Sequence, residues 1–205
     1  KRMYAHTPLN GVSTDIFESI AVLRGAESVG AQPANGAAYP GTTLGSSLRQ
    51  AAQLIKAEVG TRSIFVSGDG NFDTHSGQIA ANATDFASLG AALGAFDKDL
   101  GKKMDDVVVI VSTEFGRTVF ANGSHGTDHG SGYCVLVLGG KVRGGRILGR
   151  WPGLAKDQLF EERDLAVTTD FRDVFAEIVR RHLGGPANQN LFPGYTPGGE
   201  LGLMA

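Results

Sequence analysis

DDVVVIVSTEFGR, residues 105–117, decides the fold class. Val107 to Val111 is an unbroken β-branched run of strand length. A strand with one wet face alternates apolar and polar residues. One that is apolar throughout points to cover on both faces, as in a parallel sheet. The run then empties into STEFGR, with Glu114 and Arg117. The same scheme occurs on either side. RSIFVS (62–67) leads into GDGNFDTHSGQ (68–78), and YCVLVLGG (133–140) follows the Gly/His loop ANGSHGTDHGSG (121–132).

Helical patterns lie before, between and after these runs. STDIFESIAVLRG (13–25) has a Ser/Thr/Asp start with Glu18 following, and LGSSLRQAAQLIKAEVG (44–60) carries one apolar face closed by Gly60. GQIAANATDFASLGAALGAFDKDLG (77–101) is long and ends at Gly101. In TTDFRDVFAEIVRRHLG (168–184), Asp170 suits the N-cap and Phe171, Val174, Phe175, Ile178 and Val179 form the apolar face. GRILGRWPG (145–153) reads as a hairpin or edge excursion. The expected architecture is α/β: one domain over 1–205, a three-layer α/β/α sandwich with a mostly parallel sheet. Residues 1–43 are an irregular lead-in with one helix, 44–184 the core and 185–205 a tail.

Composition narrows the function classes. The chain has 205 residues, 41% apolar and 20% charged, with a formal charge of −2, as a soluble globular protein would. No Lys/Arg cluster argues for a nucleic-acid backbone or an anionic membrane as partner. No stretch approaches the roughly 18–20 apolar residues of a membrane span. Cys134 is the single cysteine, which excludes an internal disulfide and a Cys-based zinc site. Within YCVLVLGG it reads as a small buried core residue. Lys1 is not an initiator Met, so the expectation is a chain that begins inside a longer precursor.

In open parallel sheets, ligand sites form beyond the carboxyl ends of the strands. Asp73 and His75 follow the first run; as i and i+2 of an extended segment they share a face. Glu114 and Arg117 follow the second. His125, Asp128 and His129 precede the third, where Gly126 and Gly130 allow the loop to bend. Converging carboxylates and imidazoles need a counter-charge, and a divalent metal supplies it. Blander readings exist for each: Asp73 as a loop cap, Glu114 as a surface partner of Arg117, Asp128 as a turn residue, His125 as either. His6, in the lead-in, and His182, whose charge suits a helix C-terminus, read as structural. Ser67, Ser112 and Thr113 lack a G-x-S-x-G elbow.

GTRSIFVSGDGNFDTH, VVVIVSTEFGRT, NGSHGTDHGSGYCVLVLGGKVRGGRILGRWPGL and TTDFRDVFAEIVRRHLG, in this order, resemble the C-terminal half of a family of bacterial exported proteins. That family is catalogued as domain of unknown function fifteen-oh-one and placed in the alkaline-phosphatase/sulfatase-like superfamily. The resemblance covers nearly everything from 44 to 193. It implies an alkaline-phosphatase-like sandwich binding one or two divalent ions (zinc, manganese, calcium or iron). Asp73 and His75 would be one ligand pair, Glu114 the carboxylate of a second centre, and His129 with Asp128 the closing ligands. It also implies twin-arginine export to a periplasmic or extracellular location, and a protein partner from a neighbouring uncharacterised family.

Two departures stand out. The superfamily's nucleophile (Ser, Thr or Cys) and a nearby Asp ligand lie in an N-terminal strand-loop-helix, and the family begins with RGG-D-G-like and R-S-H-F-D-like motifs. Neither occurs here, so this chain would lack a nucleophile and part of a metal shell. Asn71 stands where the family more often has Gly. The expected function is metal-dependent hydrolysis of a small anionic phosphate or sulfate ester, with Arg117 as oxyanion clamp. The rival is an exported structural or assembly protein that keeps the fold without catalysis. A third reading is a complete enzyme whose N-terminal half is a separate segment.

Overall fold

The computed structural model of the chain describes residues 10–28, 32–68, 70–186 and 191–205. His6 and the start of the lead-in, residues 1–9, lie outside them. The order is α1 (Asn10–Ser28), α2 (Thr43–Lys56), α3 (Gln78–Leu100), a 3-10 turn (Gly101–Asp106), β1 (Val108–Val111), β2 (Gly116–Arg117), β3 (His129–Gly130), β4 (Leu136–Gly139), a 3-10 turn (Lys156–Gln158) and α4 (Phe171–Arg181). These fall into two compact units, Lys1–Gly70 with Phe86–Lys103, and Asn71–Asp85 with Met104–Ala205.

The first unit is helical. Thr42 caps α2, its hydroxyl accepting the Gly45 N–H at 3.1 Å. The buried face of α2 is Gly45, Leu48, Ala51 and Ala52, and α1 runs beside it. The end of α3 buries Ala92, Ala95, Phe96 and Leu100, together with Asp99. That carboxylate accepts from Lys56 Nζ (2.8 Å), the Ala34 N–H (2.6 Å) and the Tyr39 hydroxyl (3.0 Å), so its burial is compensated. Gly101, at φ 51°, lets the chain leave α3.

RSIFVS, expected as a strand, is irregular, and Phe65 is 92% exposed. β-propensity expresses fit to a pleated, half-buried surface, and the regular elements described in the unit that holds 62–67 are helices.

The second unit holds both sheets, each of two antiparallel strands: β1 with β4 (Val108↔Gly139 to Val111↔Leu136) and β2 with β3. The expected three-layer α/β/α sandwich with a mostly parallel, alkaline-phosphatase-like sheet is therefore corrected. The physical reason lies between the strands. A parallel return needs a crossover, usually a helix, whereas residues 112–135 form none, and the chain comes back antiparallel. One face of β1–β4 packs on the core of this unit. Val108, Ile110, Val135 and Val137 meet Val174 and Ile178 of α4 with Leu203 and Met204 of the tail.

Cys134 is exposed, not a core residue. It shares the outward parity of Leu136 and Leu138, opposite Val135 and Val137. Residues 145–153 form no hairpin.

Helix α4 begins as expected, Asp170 accepting the Arg172 N–H at 2.9 Å. Its buried residues are Val174, Ala176, Glu177 and Ile178, while Phe171 stays half exposed. Glu177 ties down the tail, accepting the N–H groups of Leu201, Gly202 and Met204. At the helix end, burial holds His182 below its ordinary pKa, with Lys141 acting in the same sense. The neutral ring makes no charge–dipole contribution.

Candidate metal centre

The site is assembled by main-chain contacts within the second unit. In the β2–β3 ladder Arg117 faces His129 and Gly116 faces Gly130. The loop before β3 is tied to the segment carrying Asp73 and His75. Thr127 N donates to Thr74 O (3.2 Å), Gly77 N to Ser124 O (3.1 Å) and Gln78 N to His125 O (3.0 Å). The approach is close enough to demand glycine at 126, where a Cβ would stand 2.2 Å from the carbonyl carbon of His75.

On this frame three side chains converge. Asp73 Oδ1 lies 2.9 Å from His75 Nε2 and 2.7 Å from His129 Nε2. One donor atom from each of the three falls within 4.8 Å of the others. Arg117 Nη1 reaches the same oxygen at 2.7 Å, while its Nε donates to Thr127 Oγ1 at 2.9 Å and its Nη2 to Thr127 O. The His129 ring stacks on Phe115 at 4.4 Å, with 10° between planes, which fixes its orientation. Hydrogen bonds from His129 and then Arg117 hold the Asp73 carboxyl below its ordinary range, so it is an anion at neutral pH.

Asp128 sits beside this group rather than in it. Its Oδ1 is 3.3 Å from His75 Nδ1 and receives Asn122 Nδ2 at 3.1 Å; Asn122 first and His75 second lower its pKa. Glu114 is exposed and outside the three-residue group, and Arg117 pairs with Asp73, not with Glu114. His125 takes part through its backbone, at φ 59° and bridged to Ser76, and its imidazole is not in the group. Phe115 and Asn122 had no signal in the sequence: a phenylalanine inside STEFGR and an asparagine in a Gly-rich loop are ordinary turn and strand-end residues.

The donor set can be tested against a metal. One carboxylate oxygen and two imidazole nitrogens suit zinc, manganese or iron; calcium takes six to eight oxygens and does not fit. Ligands on a tetrahedral ion at 2.0–2.1 Å stand about 3.4 Å apart, so the contacts of 2.9 and 2.7 Å would open by about 0.5–0.7 Å. All three side chains are about half exposed, at 48–52%, which leaves room for that movement and for a further ligand. Among the described residues these are the three donors that come together, a number suited to one ion.

A family model described as "Protein of unknown function (DUF1501)" matches residues 23–189. The chain belongs to this family. The match to DUF1501 spans the helices α2 to α4, both sheets and every residue of the candidate centre. No curated protein and no solved structure matches the chain.

Proposed function

We propose that this DUF1501 chain binds one divalent transition-metal ion through Asp73, His75 and His129, and uses it to hydrolyse phosphate or sulfate esters, the chemistry of alkaline phosphatases and sulfatases. The observation that carries the reading is the meeting of His75 Nε2 and His129 Nε2 on one oxygen of Asp73, at an exposed position beside a guanidinium. An ion held there supplies Lewis-acid polarisation of the ester and activation of water. The chain's own residues do the rest. Asp73 provides the anionic donor, and Phe115 holds the His129 ring by stacking. Arg117 spends three of its five N–H groups on Asp73 and Thr127, leaving two to meet an anionic oxygen. Export from the cytoplasm and a protein partner belong to the same proposal and rest on the family motifs.

Metal analysis of the purified protein tests the reading. Wild type is expected to hold one zinc, manganese or iron per chain, lost in Asp73→Ala and His129→Ala. Chelator-sensitive hydrolysis of an aryl phosphate or aryl sulfate is expected alongside. A wild type without bound metal overturns the proposal. Bound metal with no ester hydrolysis leaves the structural or assembly role in its place.

A further inference from the structure

Asp128 adjoins His129 in sequence, but its carboxylate lies outside the mutually close donor atoms. The geometry points to another role, in which Asp128, held by Asn122, is a positioning residue that accepts the Nδ1–H of His75 and thereby aims His75 Nε2 at the metal. The inference rests on the metal reading above and gives a new part to a residue that reads as a ligand in the sequence.

An imidazole that gives one nitrogen to a metal must place the N–H of the other, and the acceptor it finds fixes both tautomer and ring direction. His75 has both nitrogens accounted for in this way. Nε2 lies 2.9 Å from Asp73 Oδ1, inside the donor group, and Nδ1 lies 3.3 Å from Asp128 Oδ1, on the far side of the ring.

Asp128 is itself fixed. Its N–H donates to Thr118 Oγ1 (3.1 Å), its carbonyl accepts the Thr118 N–H (2.9 Å), and Oδ1 receives Asn122 Nδ2 (3.1 Å). Asn122 also donates to His75 O at 3.0 Å, binding the two partners to one amide. Its Oδ1 is in turn held by the N–H groups of Ser124 (3.0 Å) and Gly126 (3.1 Å). The result is a carboxylate–imidazole–metal line whose outer end is anchored to the loop that also delivers His129.

Cobalt(II) loaded into the full chain tests this through readouts other than turnover. In Asp128→Ala, Co²⁺ affinity measured by chelator competition is expected to fall about tenfold. That is the low end for such partners, as suits a 3.3 Å contact between half-exposed groups. The visible d–d band should keep its position and intensity, because the ligand set is unchanged. The hyperfine-shifted Nδ1–H proton of His75 should exchange with water faster. Asp128→Asn, which keeps an acceptor oxygen, should recover most of the affinity and covers the case in which the alanine variant folds poorly. Asp73→Ala should lose the band.

A d–d band that changes in Asp128→Ala overturns the inference by making Asp128 a ligand. Wild-type affinity with unchanged proton exchange in that variant overturns it by leaving Asp128 without a role. Failure of wild type to bind Co²⁺ overturns the metal reading itself, and is seen before any Asp128 variant is compared.

Discussion

Arg117 and His129 face each other across the β2–β3 ladder, and both reach the same oxygen of Asp73 at 2.7 Å. The register of two short strands thus delivers a guanidinium and an imidazole to one carboxylate. A cation at that carboxylate would be repelled by Arg117, and an anionic substrate attracted by it, so the two functions pull in opposite directions.

Replacing Arg117 should separate them. Arg117→Ala is expected to bind zinc several-fold more tightly, since a positive charge near the ion is gone, while ester hydrolysis falls about a hundredfold. Arg117→Lys keeps the charge but not the fork to Thr127, and should keep wild-type zinc affinity with impaired hydrolysis. Calorimetric titration with zinc beside steady-state kinetics checks both halves.

Glu177, 1% exposed, holds three tail N–H groups between 2.6 and 3.1 Å. Glu177→Ala leaves those donors without a partner and is expected to cost about 3 kcal/mol. Urea unfolding measures the loss. Glu177→Gln, with one oxygen fewer to accept, should fall between the two.

Acid should weaken the fold partly through Asp164, which is 2% exposed. Hydrogen bonding from Arg163, and then from Ser131, outweighs burial and holds its carboxyl below the ordinary 3.8. The unfolded chain therefore binds this proton first. The stabilisation is complete above the ordinary value and is lost as pH falls toward the depressed one. Urea midpoints between about pH 6 and pH 2 should drop more steeply for wild type than for Asp164→Asn.

Gly126→Ala should push the loop before β3 off the His75 segment. Overpacking of this kind costs about 1–3 kcal/mol, and zinc should bind more weakly because His75 and His129 separate. Gly123→Ala is the control, since nothing lies within 4 Å of a Cβ there. Thermal melts with and without zinc distinguish the two variants.

The helices were legible because each carries its own signal. Asp170 caps α4, and the Leu48–Ala51–Ala52 face of α2 is buried as its spacing implies. The sheets were not. A run such as Val107–Val111 looks alike whether it is covered on both faces or packed on one, and only its partner decides the direction. The lack of a helical pattern between 112 and 135 was the available sign of an antiparallel return. Of the residues expected at the site, Asp73, His75 and His129 meet, because ligand-type residues at turns can be seen in sequence. The place of Asp128 depends on which side of the His75 ring it occupies, and no spacing rule reports that.

His75 and His129 are far apart in the chain, yet the bonds Thr127 to Thr74, Gly77 to Ser124 and Gln78 to His125, which help to bring their segments together, run between peptide groups, which every amino acid except proline can supply in full. The donor atoms can therefore be exchanged without dismantling what holds them. Trading an imidazole for a carboxylate would redirect the pocket toward harder ions, and a lineage could change its preferred element by one or two codons while keeping the same architecture.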